Sequence, residues 1–119
     1  MSMVRVLGIV GSPRKGGNTE IMVNNALEAA RSEGAETEIV LLAENRVEPC
    51  DGCGVCSKTG KCRIDDDFEN VFNKMTEAEG LILASPSYYE SMTPHMKALI
   101  DWSGTFNGSV HGRTKFDGK

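Results

Sequence analysis

From Val4 to Val10 the chain reads VRVLGIV, apolar at nearly every position. A short run without alternation suits a strand buried on both faces of a parallel sheet. Gly11-Ser12-Pro13 breaks the run. The spacing then predicts a helix from about Thr19 to Ser32, with Met22, Ala26, Ala29 and Ala30 as its apolar face and Gly34 as its stop. EIVLL (38–42) predicts a second strand. Further on, Asp65, Asp66 and Asp67 precede Phe68, Val71, Phe72 and Met75, which fall at i, i+3, i+4, i+7. That is one face of a helix, with acids at its positive end. LILA (81–84) after Gly80 predicts a third buried strand, broken by Ser85-Pro86-Ser87. Thr93-Pro94 reads as an N-cap followed by a first-turn proline. The helix it opens is expected to carry Met96, Leu99 and Ile100 on one side and to end at Gly104. Trp102 and the methionines read as packing residues.

The order βα, β, loop, α, βα argues for an α/β fold with a doubly wound parallel sheet. Composition is compatible with one domain: 119 residues, 39% hydrophobic and 25% charged. A net charge of −4 gives no electrostatic reason to expect nucleic acid or an anionic membrane as partner. No apolar run approaches the ~18 residues of a spanning helix. The N-terminus, which enters a strand with a charge inside it, does not read as a signal peptide, so a cytoplasmic location is expected.

Two loops leave predicted strands at their carboxyl ends. GSPRKGGNT (11–19) joins the first strand to the first helix, where backbone N–H groups and the helix dipole favour an anion. Ser12, Asn18 and Thr19 add polar donors, and Arg14 and Lys15 add positive charge. Neither G-x-x-x-x-G-K-[ST] nor G-x-G-x-x-G is present, so an ordinary β–α turn stays an alternative. SPSYYES (85–91) follows the third strand. In a flavodoxin-like sheet, strands 1 and 3 flank the switch point where ligands bind. Tyr88 and Tyr89 there are either half-buried surface aromatics or a wall for a flat ring. A flavin mononucleotide fits a phosphate loop at one end and tyrosines at the other.

All the cysteines, Cys50, Cys53, Cys56 and Cys62, lie within CDGCGVCSKTGKC (50–62). In a reducing compartment clustered thiols point to metal or redox chemistry before disulfides. Structural zinc commonly uses two C-x2-C pairs set far apart. The spacing C-x2-C-x2-C-x5-C is closer to the thiolate run of ferredoxins. Four thiolates meet the need of a [4Fe–4S] cluster, while zinc and thiol redox remain alternatives. His95 and His111 read as solvated or capping, and the acids at 65–67 as helix-start charges.

These three motifs, with MKALIDW after the second loop, resemble the iron–sulfur flavoproteins of the NADPH-dependent FMN reductase group, within the flavodoxin-like superfamily. The resemblance covers essentially the whole chain. It implies FMN and a [4Fe–4S] cluster in each protomer, a ferredoxin-like or NAD(P)H electron donor, and a homo-oligomer. It places Ser12, Arg14, Asn18 and Thr19 at the flavin phosphate, Pro86, Ser87 and Tyr88 beside the ring, and Cys50, Cys53, Cys56 and Cys62 on the cluster. With the chemistry carried by the cofactors, no catalytic acid or base is assigned. In the family's strand order 2-1-3-4-5, LILA lies inside the sheet, but here no strand follows it. Residues 1–119 therefore read as an incomplete flavodoxin-like domain, truncated after its third strand and following helix. The open edge would be covered by a partner chain, a swap or a dimer. The competing readings are a cluster-free NAD(P)H-dependent FMN reductase and a non-enzymatic zinc-binding module.

Overall fold

The structure, a computed structural model, describes residues 4–59 and 64–111, without the side chains of Cys56, Ser57 and 104–111. The strands are β1 (Arg5–Val10), β2 (Glu36–Leu41) and β3 (Gly80–Ala84), paired in parallel in the order β2-β1-β3. The helices are α1 (Asn18–Ser32), α2 (Val55–Thr59), α3 (Phe68–Glu77) and α4 (Pro94–His111). The expected α/β doubly wound topology is present. β1 lies in the middle, the crossover to β2 runs to one side, and the crossover to β3 returns to the other.

Alternate residues of β1 supply two cores. Leu7 and Ile9 join Val40, Leu42, Phe68, Val71, Phe72, Met75, Met96, Leu99 and Trp102 on the face covered by α3 and α4. Val6 and Val10 lie on the other face, with Val23 and Leu27 of α1. Gly8 lies beneath these two side chains. A Cβ there would come 2.6 Å from Val23 Cγ1 and 3.1 Å from Leu27 Cδ1, so the missing side chain is what lets α1 settle onto the sheet.

The α3 face is as the spacing predicts: Phe68, Val71, Phe72 and Met75 are all buried. The α1 face is not. Val23 and Leu27 are its buried residues, while Met22 is 68% exposed and Ala26 and Ala29 face solvent. The recess over Gly8 accepts branched side chains one position on from the predicted stripe. Helix α1 stops where expected, with Gly34 at φ 92°. Gly34 N–H donates to Arg31 O and Ala35 N–H to Ala30 O, a Schellman closure. Helix α4 starts at Pro94, and Thr93 Oγ1 accepts the Met96 N–H. It does not end at Gly104 but continues to His111. Ile100 is 37% exposed, and the buried face instead uses Ala98 and Trp102. The Trp102 ring stacks on Phe68, 4.7 Å between centroids.

On the far side of β3, Leu83 is 44% exposed. Among the described residues no strand covers that edge.

Candidate functional site

The glycine-rich loop and the tyrosine loop emerge side by side, because β1 and β3 are sheet neighbours. Their bases are tied together. Gly11 N–H donates to Ala84 O at 2.7 Å. Thr93 Oγ1 donates to Gly11 O at 2.6 Å. The Thr93 N–H donates to Ser85 Oγ at 2.9 Å, and Ser85 Oγ donates to Pro86 O. Gly11 also packs against α4, where a Cβ would come 2.9 Å from Met96 Cβ.

Ser12 is nearly buried, and its hydroxyl accepts the Arg14 N–H at 3.1 Å. Arg14 and Asn18 are exposed and Thr19 is half-buried. Gly17 caps α1 without a side-chain bond, and the first helical bond comes from Ile21 N–H. Among the described residues, nothing in the protein accepts the N–H groups of Gly17, Asn18, Thr19 and Glu20. That cradle suits a phosphate. One neighbour opposes it: the Glu20 carboxylate accepts the Gly16 N–H at 2.9 Å. Lys15 is turned away, in a 3.0 Å ion pair with Glu44.

In the second loop Pro86 is half-buried, and Ser87 and Tyr88 are exposed. Tyr88 and Ser91 exchange backbone hydrogen bonds of 2.8 and 3.1 Å across a two-residue turn. Its central residues, Tyr89 and Glu90, have φ of 50° and 64°. Such turns favour Asn-Gly, and side-chain-bearing residues there are strained. Tyr89 is fully exposed at the tip.

The cysteine segment leaves the main body through a clamp. Asp67 N–H donates to Arg46 O at 2.8 Å, and the Arg46 N–H returns to Asp67 Oδ2 at 2.7 Å. Asp66 accepts the Glu48 N–H at Oδ2 and the Phe68 N–H at Oδ1. Arg46 Nη2 donates to Asp65 O, and Trp102 Nε1 donates to Glu48 O. The Asp66 and Asp67 carboxylates and the Asp65 carbonyl therefore hold the loop's neck, as well as standing at a helix start. Inside the loop, Gly52 and Gly54 have φ of 72° and 78°, bending the chain on either side of Cys53. Cys50 is half-buried against the aromatic core, and Cys53 is exposed, its N–H bonded to Asp51 Oδ1. Cys56 falls on α2, a single turn with no periodic signal in the sequence; its side chain is outside the described residues, as is Cys62. Among the described residues no group of three or more metal-ligating side chains is assembled. The four-thiol donor set and the glycine-bent backbone fit a soft metal or an iron–sulfur cluster.

With these loops placed, comparison with known proteins is direct. Residues 4–119 match the family described as NADPH-dependent FMN reductase. The chain belongs to that family. It is 43% identical over 115 residues to an iron-sulfur flavoprotein of Methanocaldococcus jannaschii, covering 97% of this chain and 60% of the relative. It is 42% identical over 100 residues to an iron-sulfur flavoprotein of Methanosarcina thermophila, covering 84% and 52%. The chain thus spans about half the length of the curated relatives it matches. A flavone reductase structure superposes with a TM-score of 0.69 at 24% identity, over 87% of this chain and 31% of the other. An NADH:FMN oxidoreductase structure gives 0.59 at 24%, over 83% and 49%. These two likenesses show the fold.

Within this FMN reductase fold, a cleft of about 430 Å³ opens between residues 42–49 and the start of α4, and neither loop contributes a residue to its lining. His95, exposed as expected, is on its wall. His111 contributes backbone to α4, and its side chain is outside the described residues. The sequence reading missed Ser85 as a hydrogen-bonding centre and assigned Thr93 a cap alone. The cap was visible from Thr-Pro; the bond to Gly11, 82 residues away, had no local signal. Among the described residues no helix is long and apolar enough to cross a membrane.

Proposed function

We propose that residues 1–119 belong to the FMN-binding domain of an oxidoreductase of the iron–sulfur flavoprotein type, with the cysteine loop 50–62 holding a [4Fe–4S] cluster. Electrons would enter from a ferredoxin-like protein or NAD(P)H and leave to an acceptor. The observation that carries this is the pairing of an uncapped α1 N-terminus with a tyrosine-bearing loop, both fastened across β1 and β3. The family match and the iron-sulfur flavoprotein relatives support it.

When bound, FMN supplies one- and two-electron redox chemistry and a cluster supplies single-electron transfer. The rest falls to the chain. The N–H groups of Gly17 to Glu20, with Asn18 and Thr19, would hold the phosphate, and Arg14 would balance its charge. Ser12 holds the turn that aims them by accepting the Arg14 N–H. Pro86, Ser87 and Tyr88 would orient the ring. Cys50, Cys53, Cys56 and Cys62 would ligate the cluster on a loop whose neck is fixed by Asp66, Asp67 and Trp102. No side chain is assigned as catalytic acid or base. The proposal includes a homo-oligomer, supported by Ile21, Met22 and Leu83 standing exposed on α1 and β3. It also requires the reducing cytoplasm, where thiols stay available to metal.

The test is anaerobic purification followed by an absorption spectrum and analysis for flavin, iron and sulfide. Flavin bands with a broad shoulder and about four irons per chain, the [4Fe–4S] content, are expected. Flavin without iron after anaerobic reconstitution would move the assignment to a cluster-free NAD(P)H-dependent FMN reductase. Stoichiometric zinc without flavin would overturn both.

A further inference from the structure

We infer that Thr93 is a positioning residue that sets the separation between the two loops, so that one ligand is held at its phosphate and its ring together. The inference rests on the flavin reading and deepens it. Thr93 is completely buried, and each of its polar hydrogens has a defined destination. Its hydroxyl donates to Gly11 O, one residue before Ser12 in the phosphate loop. Its N–H donates to Ser85 Oγ, whose own proton goes to Pro86 O at the root of the tyrosine loop. The hydroxyl also accepts the Met96 N–H, which fixes both contacts to the start of α4. Thr93, which lies in neither loop, thus reaches the first through its hydroxyl and the second through its backbone N–H.

A capping role alone demands less. An N-cap needs an acceptor for the Met96 N–H, and an aspartate or asparagine at the helix start supplies one. The donation to Gly11 O, at 2.6 Å and out of solvent, is additional. Together with the Gly11 N–H donation to Ala84 O, it joins the two subsites into one rigid body. For a ligand that bridges them, a fixed separation makes the second contact intramolecular once the first has formed.

The test compares FMN with riboflavin, which has the same ring and no phosphate. Dissociation constants are measured on flavin-free protein by quenching of flavin fluorescence, with thermal unfolding followed alongside. Thr93→Val keeps the shape and loses the hydroxyl; Thr93→Ser keeps the hydroxyl. With a lost hydrogen bond taken as about 1 kcal/mol, roughly fivefold, Thr93→Val should weaken FMN by about five- to tenfold. Riboflavin should change by less than about twofold, and Thr93→Ser should restore the FMN preference. A general loss of stability lowers both affinities by the same factor and leaves their ratio unchanged, which would overturn the inference. Ser85→Ala attacks the same bridge from the other loop and should reduce the ratio similarly. An unchanged ratio there overturns the inference even if Thr93→Val does not fold. A wild-type protein that binds neither flavin would overturn the flavin reading itself. A wild-type preference for FMN that Thr93→Val retains would overturn only the positioning role.

Discussion

Replacing Gly8 with alanine probes the contact that sets how closely α1 lies on the sheet. The new Cβ would sit 2.6 Å from Val23 Cγ1 and 3.1 Å from Leu27 Cδ1, where carbons in ordinary contact stand ~3.5–4.0 Å apart. Val23 has little rotamer freedom inside a helix, so rotation gives small relief. The helix must back away or the strand must bend. Overpacking of this kind costs about 1–3 kcal/mol. Alanine recovers about 0.4–1 kcal/mol by restricting the unfolded chain. The net expectation is a loss of about 1–2 kcal/mol, or roughly 4–8 °C in melting temperature for a domain of this size. Urea unfolding followed by far-ultraviolet circular dichroism would show a lower midpoint with an unchanged slope. A double-mutant cycle identifies the cause. Val23→Ala alone should cost about 1.5–3 kcal/mol through lost burial. In that background Gly8→Ala should cost much less, because the 2.6 Å contact is gone and only the end of Leu27, at 3.1 Å, must still shift. A Gly8→Ala protein as stable as the parent, or losses that simply add in the double mutant, would refute the argument.

Other substitutions address the loops. Asp66→Ala strips the acceptor from the Glu48 and Phe68 N–H groups and should cost about 1–3 kcal/mol, with Asp66→Asn losing less, as measured by thermal unfolding. Trp102→Phe keeps the ring beside Phe68 and removes the bond to Glu48 O; a loss of about 1 kcal/mol is expected, read from urea midpoints. The pair Tyr89→Asn, Glu90→Gly fits a turn with φ of 50° and 64° and should stabilise the protein by about 1 kcal/mol or more; a lower melting temperature would contradict the strain. Glu20→Gln removes an anion from the phosphate cradle and should tighten FMN by about two- to fivefold at low salt, measured by fluorescence titration.

What the sequence could disclose depended on how local the cause was. The strand VRVLGIV and the face Phe68, Val71, Phe72, Met75 announce themselves by spacing, and Thr93-Pro94 and Gly34 announce helix ends by chemistry. The α1 face was misread because its register is chosen by a recess above Gly8 in another element. Met22 and the alanines looked adequate in isolation, but Val23 and Leu27 fill the space that exists. Gly104 looked like a stop, yet the helix runs past it. The carboxylates of Asp66 and Asp67 bond backbone some twenty residues earlier, and periodicity carries no such information. For the site, the loops and their residue types were legible, whereas the clamp joining them was not.

The neck formed by Arg46, Glu48, Asp66 and Asp67 has a consequence for how such a protein can diversify. Its two strands of backbone are hydrogen-bonded to each other and to Trp102, and no described thiol takes part in those bonds. The segment between 49 and 64 is therefore a cassette. Its length and residues can change at the modest entropic cost of altering a loop whose ends are already fixed. Beyond Cys50, which packs on the core, such changes would leave the sheet and the neck as they are.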